Sequence, residues 1–406
     1  METKSENRID WIALAIVCFL NVHFYYILGS NMGMKTYAGS IAFIFALVCF
    51  CFAVMMGRLK RAKGKFPIIL FLNIIIFPII SIELSRNAVM TWSRLLTFSV
   101  LPMCLMSFEF KPKKLIDYTC YFAPLTLLIQ NDLFKVQGSV KQMEMGYSYA
   151  VIHLCVACII ELIYFRKENK RNIYMHFCTI IGVYLTVRLL LLSTRGTFLS
   201  IIIALMLFYI TSFDGNARIK KHSSKTIVVF VVIVVFMALF DSILKALSGI
   251  VQSFGDIAPA ALRKMLDAYK SNDITHGRDS IVDFTLKCIA DKPLLGYGTQ
   301  MFGNINGHYS YPHNCVLQFL FENGILGSVY ILLNLFIKIY HTVFPSNNLN
   351  KDEILARQLI MLTSLPMLFL SNEMWTTPAF WMFLMYPYNL KMLNISGKSM
   401  LSHRKK

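Results

Sequence analysis

Long apolar blocks, separated by short polar stretches, run through almost the whole chain. A helix that crosses a bilayer needs roughly 20 mostly apolar residues. Twelve blocks meet that standard, at about 11–28, 36–56, 66–82, 88–108, 115–133, 147–165, 174–192, 197–213, 226–247, 314–343, 354–371 and 375–393. The pattern predicts an all-α integral membrane protein, one polytopic domain over 1–406, with about 12 transmembrane helices and one large polar loop at 248–312. The polar start METKSENRID is followed by an apolar run with no small-residue cleavage site, so Trp11 to Leu28 reads as a first span and not as a signal peptide.

Orientation follows from the distribution of Lys and Arg, which favour the cytoplasmic side. With the N-terminus inside, the cytoplasmic segments hold the clusters Arg58 to Lys65, Lys111 to Lys114, Arg166 to Arg171, Arg218 to Lys225 and Lys398 to Lys406. The short outer loops hold only Lys35, Arg86, Lys135, Lys141 and Arg195. The alternation predicts that both termini are cytoplasmic and that the loop 248–312 faces the periplasm or exterior. Within that loop Leu262, Met265, Leu266 and Tyr269 recur at helical spacing behind Asp256 and Pro259, as expected of an amphipathic helix on the outer surface. A second short helix is expected from about Arg278 to Ala290, stopped near Pro293 and followed by a tight turn at Leu294–Gly298.

Composition agrees, with 56% apolar and 15% charged residues, where soluble domains carry about a quarter charged. The formal net charge of +18 sits in short clusters between spans, not on one soluble face, which argues against nucleic acid. Most of the ten cysteines lie inside apolar runs, where cysteine acts as a small hydrophobe. Cys155-x-x-Cys158 beside His153 lacks a second ligand pair, so no metal site is expected there. Cys288 and Cys315 are left open as a pair.

Several polar residues stand where chemistry at a membrane surface would need them. Arg195, in Ser193-Thr194-Arg195-Gly196, is a cation on the disfavoured side, and its planar fork suits phosphate oxygens. Arg278 opens the second loop helix. Arg94 and Arg188 lie near the outer ends of their spans, where a charge is costly and usually meets a cavity or partner. A pair with Glu83 and a contact to substrate phosphate are both open for them. His313 and Asn314 stand at the mouth of the tenth span, and an imidazole there has the pKa of a general base. Gly324 and Gly327 are read as places where another helix comes close. Glu322 either pairs with an arginine or accepts a hydroxyl proton. Gly296-Tyr297-Gly298 either turns the chain or offers backbone N–H groups to an anion. His276, His308 and Tyr311 have no spacing argument behind them. There is no phosphate-binding glycine loop, HExxH or carboxylate-rich metal motif.

Two blocks of residues resemble the O-antigen ligase and O-antigen/capsule polymerase superfamily of bacterial membrane glycosyltransferases. One is Ser193-Thr194-Arg195-Gly196 before an apolar helix. The other is Gly277-Arg278, then Lys292-Pro293-Leu294-Leu295-Gly296-Tyr297-Gly298, then His313-Asn314 and Glu322-Asn323-Gly324-Ile325-Leu326-Gly327. The resemblance covers roughly 190–335. It implies a GT-C-like helical fold in the bacterial inner membrane, and transfer of glycan from an undecaprenyl-diphosphate-linked oligosaccharide without metal or other cofactor. It further implies that Arg195 and Arg278 hold the diphosphate and that His313 activates the acceptor hydroxyl. Arg94, Arg188, Glu322, Asn314 and Tyr297 are added as substrate-binding candidates from burial and spacing. The favoured reading is a polymerase joining lipid-linked repeat units, with membrane lipid and a chain-length regulator as partners. The alternatives are a ligase acting on lipid A–core or another acceptor, and a flippase of lipid-linked glycans. The flippase is disfavoured by the missing repeat symmetry.

Overall fold

The computed structural model describes residues 9–31, 38–57, 59–62, 94–132, 134–137, 140–143, 145–166, 172–192, 195–211, 278–345, 349–370 and 372–386, with short pieces within 68–92, 213–231 and 263–267. These residues are helical almost throughout. One short antiparallel hairpin, β1 (Phe134–Gln137) with β2 (Val140–Met143), departs from the all-α expectation.

Three helices among the described residues are long and apolar enough to cross a membrane: Gly146–Phe165, Ile173–Leu192 and Cys315–Val343. Shorter apolar helices cover Trp11–Leu20, Ser40–Met55, Leu95–Leu105 and Gly196–Ile210. This is the architecture of a membrane protein. The expected spans at 66–82 and 226–247, the amphipathic helix near 262–269 and Glu83 lie largely or wholly outside the described residues. The expected span at 115–133 differs: an α-helix, Pro112–Tyr121, gives way to a tighter 3-10 stretch, Ala123–Asp132. The expected span at 354–371 is interrupted too, with helices Lys351–Leu362 and Leu365–Leu368 separated by a turn.

Helix Gly146–Phe165 is the axis of the bundle and is buried along most of its length, whereas Ile173–Leu192 exposes an apolar face. The two meet where Gly182 faces Cys158; a Cβ on Gly182 would overlap the Cys158 side chain. Cys158 Sγ also lies 3.1 Å from Cys120 Sγ, and His153 Nε2 lies 3.0 Å from Asn21 Oδ1. The Cys155–Cys158 segment is therefore packing, and no metal-capable group of His, Cys, Asp or Glu occurs among the described residues.

Basic and acidic side chains tie one end of the bundle together. Asp10 caps helix Trp11–Leu20 by accepting from Ala13 N–H at 3.0 Å, and its second oxygen accepts from Lys111 N–H at 2.6 Å. Lys113 pairs with Asp117 and, at 2.8 Å, with buried Glu161, while its ammonium lies 4.2 Å from the Phe165 ring centre. Lys351 lies 4.1 Å from the same ring and donates to the Tyr164 carbonyl at 3.0 Å. The chain from Lys351 through Leu368 then carries residues 369–377 to the opposite end.

The helix Cys315–Val343 contains the fold's most specific local feature. At Gly324 the backbone takes φ 60° and ψ −171°, which breaks the helix into two pieces. An unbroken helix would pair Ile325 N–H with the Phe321 carbonyl and Leu326 N–H with that of Glu322. Instead the turn 293–298 enters the gap. Tyr297 N–H donates to Phe321 O at 2.8 Å and Gly298 N–H to Glu322 O at 2.9 Å. Ile325 N–H donates to Pro293 O at 2.8 Å and Leu326 N–H to Leu294 O at 3.2 Å. The Ser328 hydroxyl crosses the break to the Phe319 carbonyl at 2.7 Å. These four backbone groups freed by the break are thus satisfied, as groups shielded from water require. Gly324 and Gly327 had been read as helix–helix contacts; Gly324 is in fact the break, and the close neighbour is the Leu294 carbonyl. Gly296, at φ 71°, is the matching gap on the turn, where a Cβ would come within 2.6 Å of the Phe321 carbonyl oxygen.

Only glycine occupies the backbone region of Gly324 comfortably, and another residue there costs about 1–3 kcal/mol before any collision is counted. Gly324→Ala is therefore expected to lower the thermal midpoint of the detergent-solubilised protein markedly. Gly146→Ala, in a helix with open space at the Cβ position, is expected to leave the midpoint near that of the wild type.

Candidate active site

The second loop helix forms as expected, spanning Arg278–Asp291. It turns Ile281, Thr285 and Cys288 inward, and Ile281 and Cys288 pack with Phe302 and Phe321 in a small separate core. Phe321 also stacks on Tyr297, with ring centres 5.0 Å apart and planes 11° apart. Cys288 and Cys315 are both buried and both free, so they do not pair.

Arg278 stands at the start of this helix and its Nη1 donates to the Leu370 carbonyl at 2.5 Å. Asn314 is the N-cap of helix Cys315–Val343, accepting from Val316 N–H at 2.9 Å and Leu317 N–H at 3.2 Å. Its Nδ2 donates to the Phe369 carbonyl at 3.4 Å. Two elements far apart in sequence are thereby fixed on consecutive carbonyls of one turn. His313 precedes the cap, one residue outside the helix it was expected to open, and sits at φ 57°. That left-handed backbone is uncommon for any side chain but glycine, although histidine is among those enriched there. The imidazole lies 4.4 Å from the Tyr311 ring and 6.0 Å from that of Tyr309, measured between centres.

Residues 372–377 complete the cluster. Glu373 forms an ion pair with Arg94 at 4.0 Å, and Gln300 Nε2 lies 3.5 Å from its carboxylate. Burial pushes the Glu373 carboxyl above its ordinary range, and the Arg94 cation opposes that shift. Tyr311 is raised by burial first, then by the nearby Tyr149 and Glu373, and is lowered by Arg278. These influences place Arg278, Tyr311 and Glu373 in one electrostatic neighbourhood, and His313 joins it through its ring contact with Tyr311. Asn372 supports it by donating to Thr377 Oγ1 at 3.0 Å, and Thr377 in turn donates to the Glu373 carbonyl at 2.8 Å.

Arg94 thus finds Glu373 as an ion-pair partner, while Glu83 lies outside the described residues. Arg195 is the first residue of helix Arg195–Ile210. That helix runs antiparallel to Lys351–Leu362, with Thr211 meeting Gln358 at 3.0 Å, and it also packs on Leu365–Leu368. Its N-terminal backbone therefore points to the end of the bundle that carries Leu370.

Three other candidates are placed elsewhere. Arg188 donates to the Tyr184 hydroxyl at 2.6 Å on its own helix and lies 5.4 Å from the same ring. Tyr297 lies beyond the far end of the Arg278–Asp291 helix, about 20 Å from Arg278, with its hydroxyl donating to Asp291 at 2.5 Å. The N–H groups of Gly296, Tyr297 and Gly298 are taken by the carbonyls of Lys292, Phe321 and Glu322. That turn is a structural stitch and does not present an anion cradle. Among the described residues Glu322 pairs with no arginine. Its buried carboxylate accepts from Gln318 Nε2 at 2.9 Å and from Trp375 Nε1 at 2.6 Å, so it ties the broken helix to the 372–377 turn.

Glu373, Trp375 and Gln300 are the residues that sequence reasoning missed. The available signal for Glu373 was an acid in a short polar gap between two apolar runs. Trp375→Phe keeps most of the ring volume but leaves one oxygen of a buried carboxylate without its donor, at a cost of about 1–3 kcal/mol. A lowered thermal midpoint with unchanged helix content by circular dichroism is the expected outcome.

No curated protein matches the chain. Residues 180–332 match the family model described as O-antigen ligase. The matched segment takes in Arg188, Arg195, Arg278, His313 and the break at Gly324, while Arg94 and Glu373 lie outside it. The similarity to the O-antigen ligase family is thus carried by this segment of the chain.

Proposed function

We propose that the protein is a polysaccharide polymerase that joins undecaprenyl-diphosphate-linked oligosaccharide repeat units at the outer face of the bacterial inner membrane. The observation that carries the reading is the attachment of Arg278 and Asn314 to the neighbouring carbonyls of Leu370 and Phe369. The guanidinium of Arg278 is the phosphate ligand in this reading, and it is held to the same turn as Asn314, the residue next to His313. In this reading about twelve spans cross the membrane, both termini are cytoplasmic, and the loop 248–312 faces outward.

The proposed step is an inverting displacement. His313 takes the proton of the acceptor hydroxyl as its oxygen forms the new bond to the anomeric carbon. The bond from that carbon to the carrier diphosphate breaks on the opposite side, and its electron pair leaves with the diphosphate. Arg278 and Arg195 stabilise the charge that develops on the leaving group, which is the role of preorganised donors. Arg94, held near by Glu373, adds a third positive charge at the rim. The carbonyl hold on Arg278 fixes the side chain in place without neutralising it. A chain-length regulator is a further partner in this reading.

The description O-antigen ligase favours a second reading, in which the same step moves a finished lipid-linked glycan onto lipid A–core or another acceptor. Both readings use the same residues and differ only in the acceptor.

The test is purified protein with a synthetic undecaprenyl-diphosphate-linked repeat unit and no other acceptor, read as a ladder on a gel. Polymerisation gives the ladder, and it persists in a chelator. Arg195→Ala, Arg278→Ala and His313→Ala each lose it while keeping the wild-type thermal midpoint within a few degrees. Product only after addition of lipid A–core selects the ligase. A near-normal ladder from His313→Ala overturns the general-base role.

A further inference from the structure

The turn that fills the helix break leaves two leucines uncovered. Leu294 is 59% exposed and Leu295 65%, although their neighbours Pro293 to Gly298 are fastened by backbone hydrogen bonds into the helix. Beside them, on the second helical piece, Leu326 is 58% exposed and begins a face that continues through Val329, Leu333, Phe336 and Ile337. That face belongs to a span long and apolar enough to cross a membrane. From Ile325 to Val343 a helix rises about 28 Å at roughly 1.5 Å per residue, close to the roughly 30 Å of a hydrocarbon core. The break therefore falls at the edge of the core. Leu294 is joined to Leu326, and Pro293 to Ile325, by hydrogen bonds at that level.

We infer that Leu294 and Leu295 insert into the acyl chains of the leaflet on the candidate-site side, and that the turn 293–296 is a membrane anchor for the catalytic loop. Three features of the turn suit that environment. Its carbonyls at 293 and 294 and its N–H groups at 296, 297 and 298 have protein partners, the condition for non-helical backbone near lipid. Lys292 lies 4.4 Å from the Tyr297 ring centre, a basic–aromatic pair of the kind found at headgroup level. The preceding helix exposes Asp279, Asp283 and Lys287 on the side away from its buried Ile281, Thr285 and Cys288. The occupant is lipid, because the exposed leucines continue the lipid-facing side of the span without interruption. The inference rests on the membrane placement of Cys315–Val343, and it does not depend on the transfer chemistry.

The test uses full-length protein in liposomes, in a Cys51→Ser, Cys104→Ser background, with a bimane fluorophore on Leu295→Cys, Leu326→Cys or Asn304→Cys. Neither leucine side chain is packed, so these variants are expected to keep the wild-type thermal midpoint. The expected result is several-fold stronger quenching by spin-labelled phospholipid than by aqueous iodide at positions 295 and 326, and the reverse at 304. Iodide quenching at 295 as strong as at 304 overturns the inference, since the turn would then lie in water. Shielding of 295 from both quenchers also overturns it, since protein would then cover the turn. Because the readout needs no turnover, a failed polymerase assay leaves it intact.

Discussion

The exchange of two helical hydrogen bonds for four at Gly324 is the constraint around which the candidate-site end of the molecule is arranged. A helix interrupted inside a membrane protein exposes carbonyls and N–H groups that have no water to turn to. Here the turn 293–298 supplies a partner for each of the four groups. The arrangement requires the backbones to approach so closely that neither Gly296 nor Gly324 has room for a Cβ. Once the turn is seated, the helix Arg278–Asp291 has a fixed end. Its packing on Phe302 and Phe321 then sets where Arg278 points.

The second organising element is the turn that joins the last described helices. Phe369 and Leu370 offer carbonyls to Asn314 and Arg278, Glu373 holds Arg94, and Trp375 holds Glu322. Four side chains from three separate parts of the chain are thus referred to one segment of fewer than ten residues. Arg278 meets a carbonyl oxygen there, which holds its guanidinium without supplying a counter-charge. Arg94 instead meets the carboxylate of Glu373, whose pKa burial raises.

Local signals in the sequence were strong where a helix start, stop or apolar length was at issue. Arg278–Asp291 came out within a residue of its expected limits, and its stop before Pro293 follows from proline's restriction on the preceding backbone. The long spans at 147–165, 174–192 and 314–343 were legible for the same reason. What was not legible depends on partners distant in sequence. Gly324 in an apolar run looks like a place for helix contact until the turn that displaces its hydrogen bonds is known. Glu322 was open to an arginine or to a substrate hydroxyl, and its indole partner lies fifty-three residues away in the sequence. Glu373 carries no motif, and only the folded chain brings it to Arg94. The 3-10 stretch at 123–132 and the hairpin after it were hidden because apolar content does not distinguish a continuous helix from a tighter or bent one.

The stitched break also imposes a rule on chain length. Between Gly298 and Phe321 the chain makes a short helix, Phe302–Asn306, and an exposed loop before Asn314 caps the next helix. Residues can be added or removed in the exposed part of that connection without disturbing either side of the joint. Within 293–298 or 321–326 a single insertion would shift every donor by one position and face it with the wrong acceptor. The two segments therefore behave like the halves of a clasp, rigid in their own spacing and indifferent to the length of the strap between them.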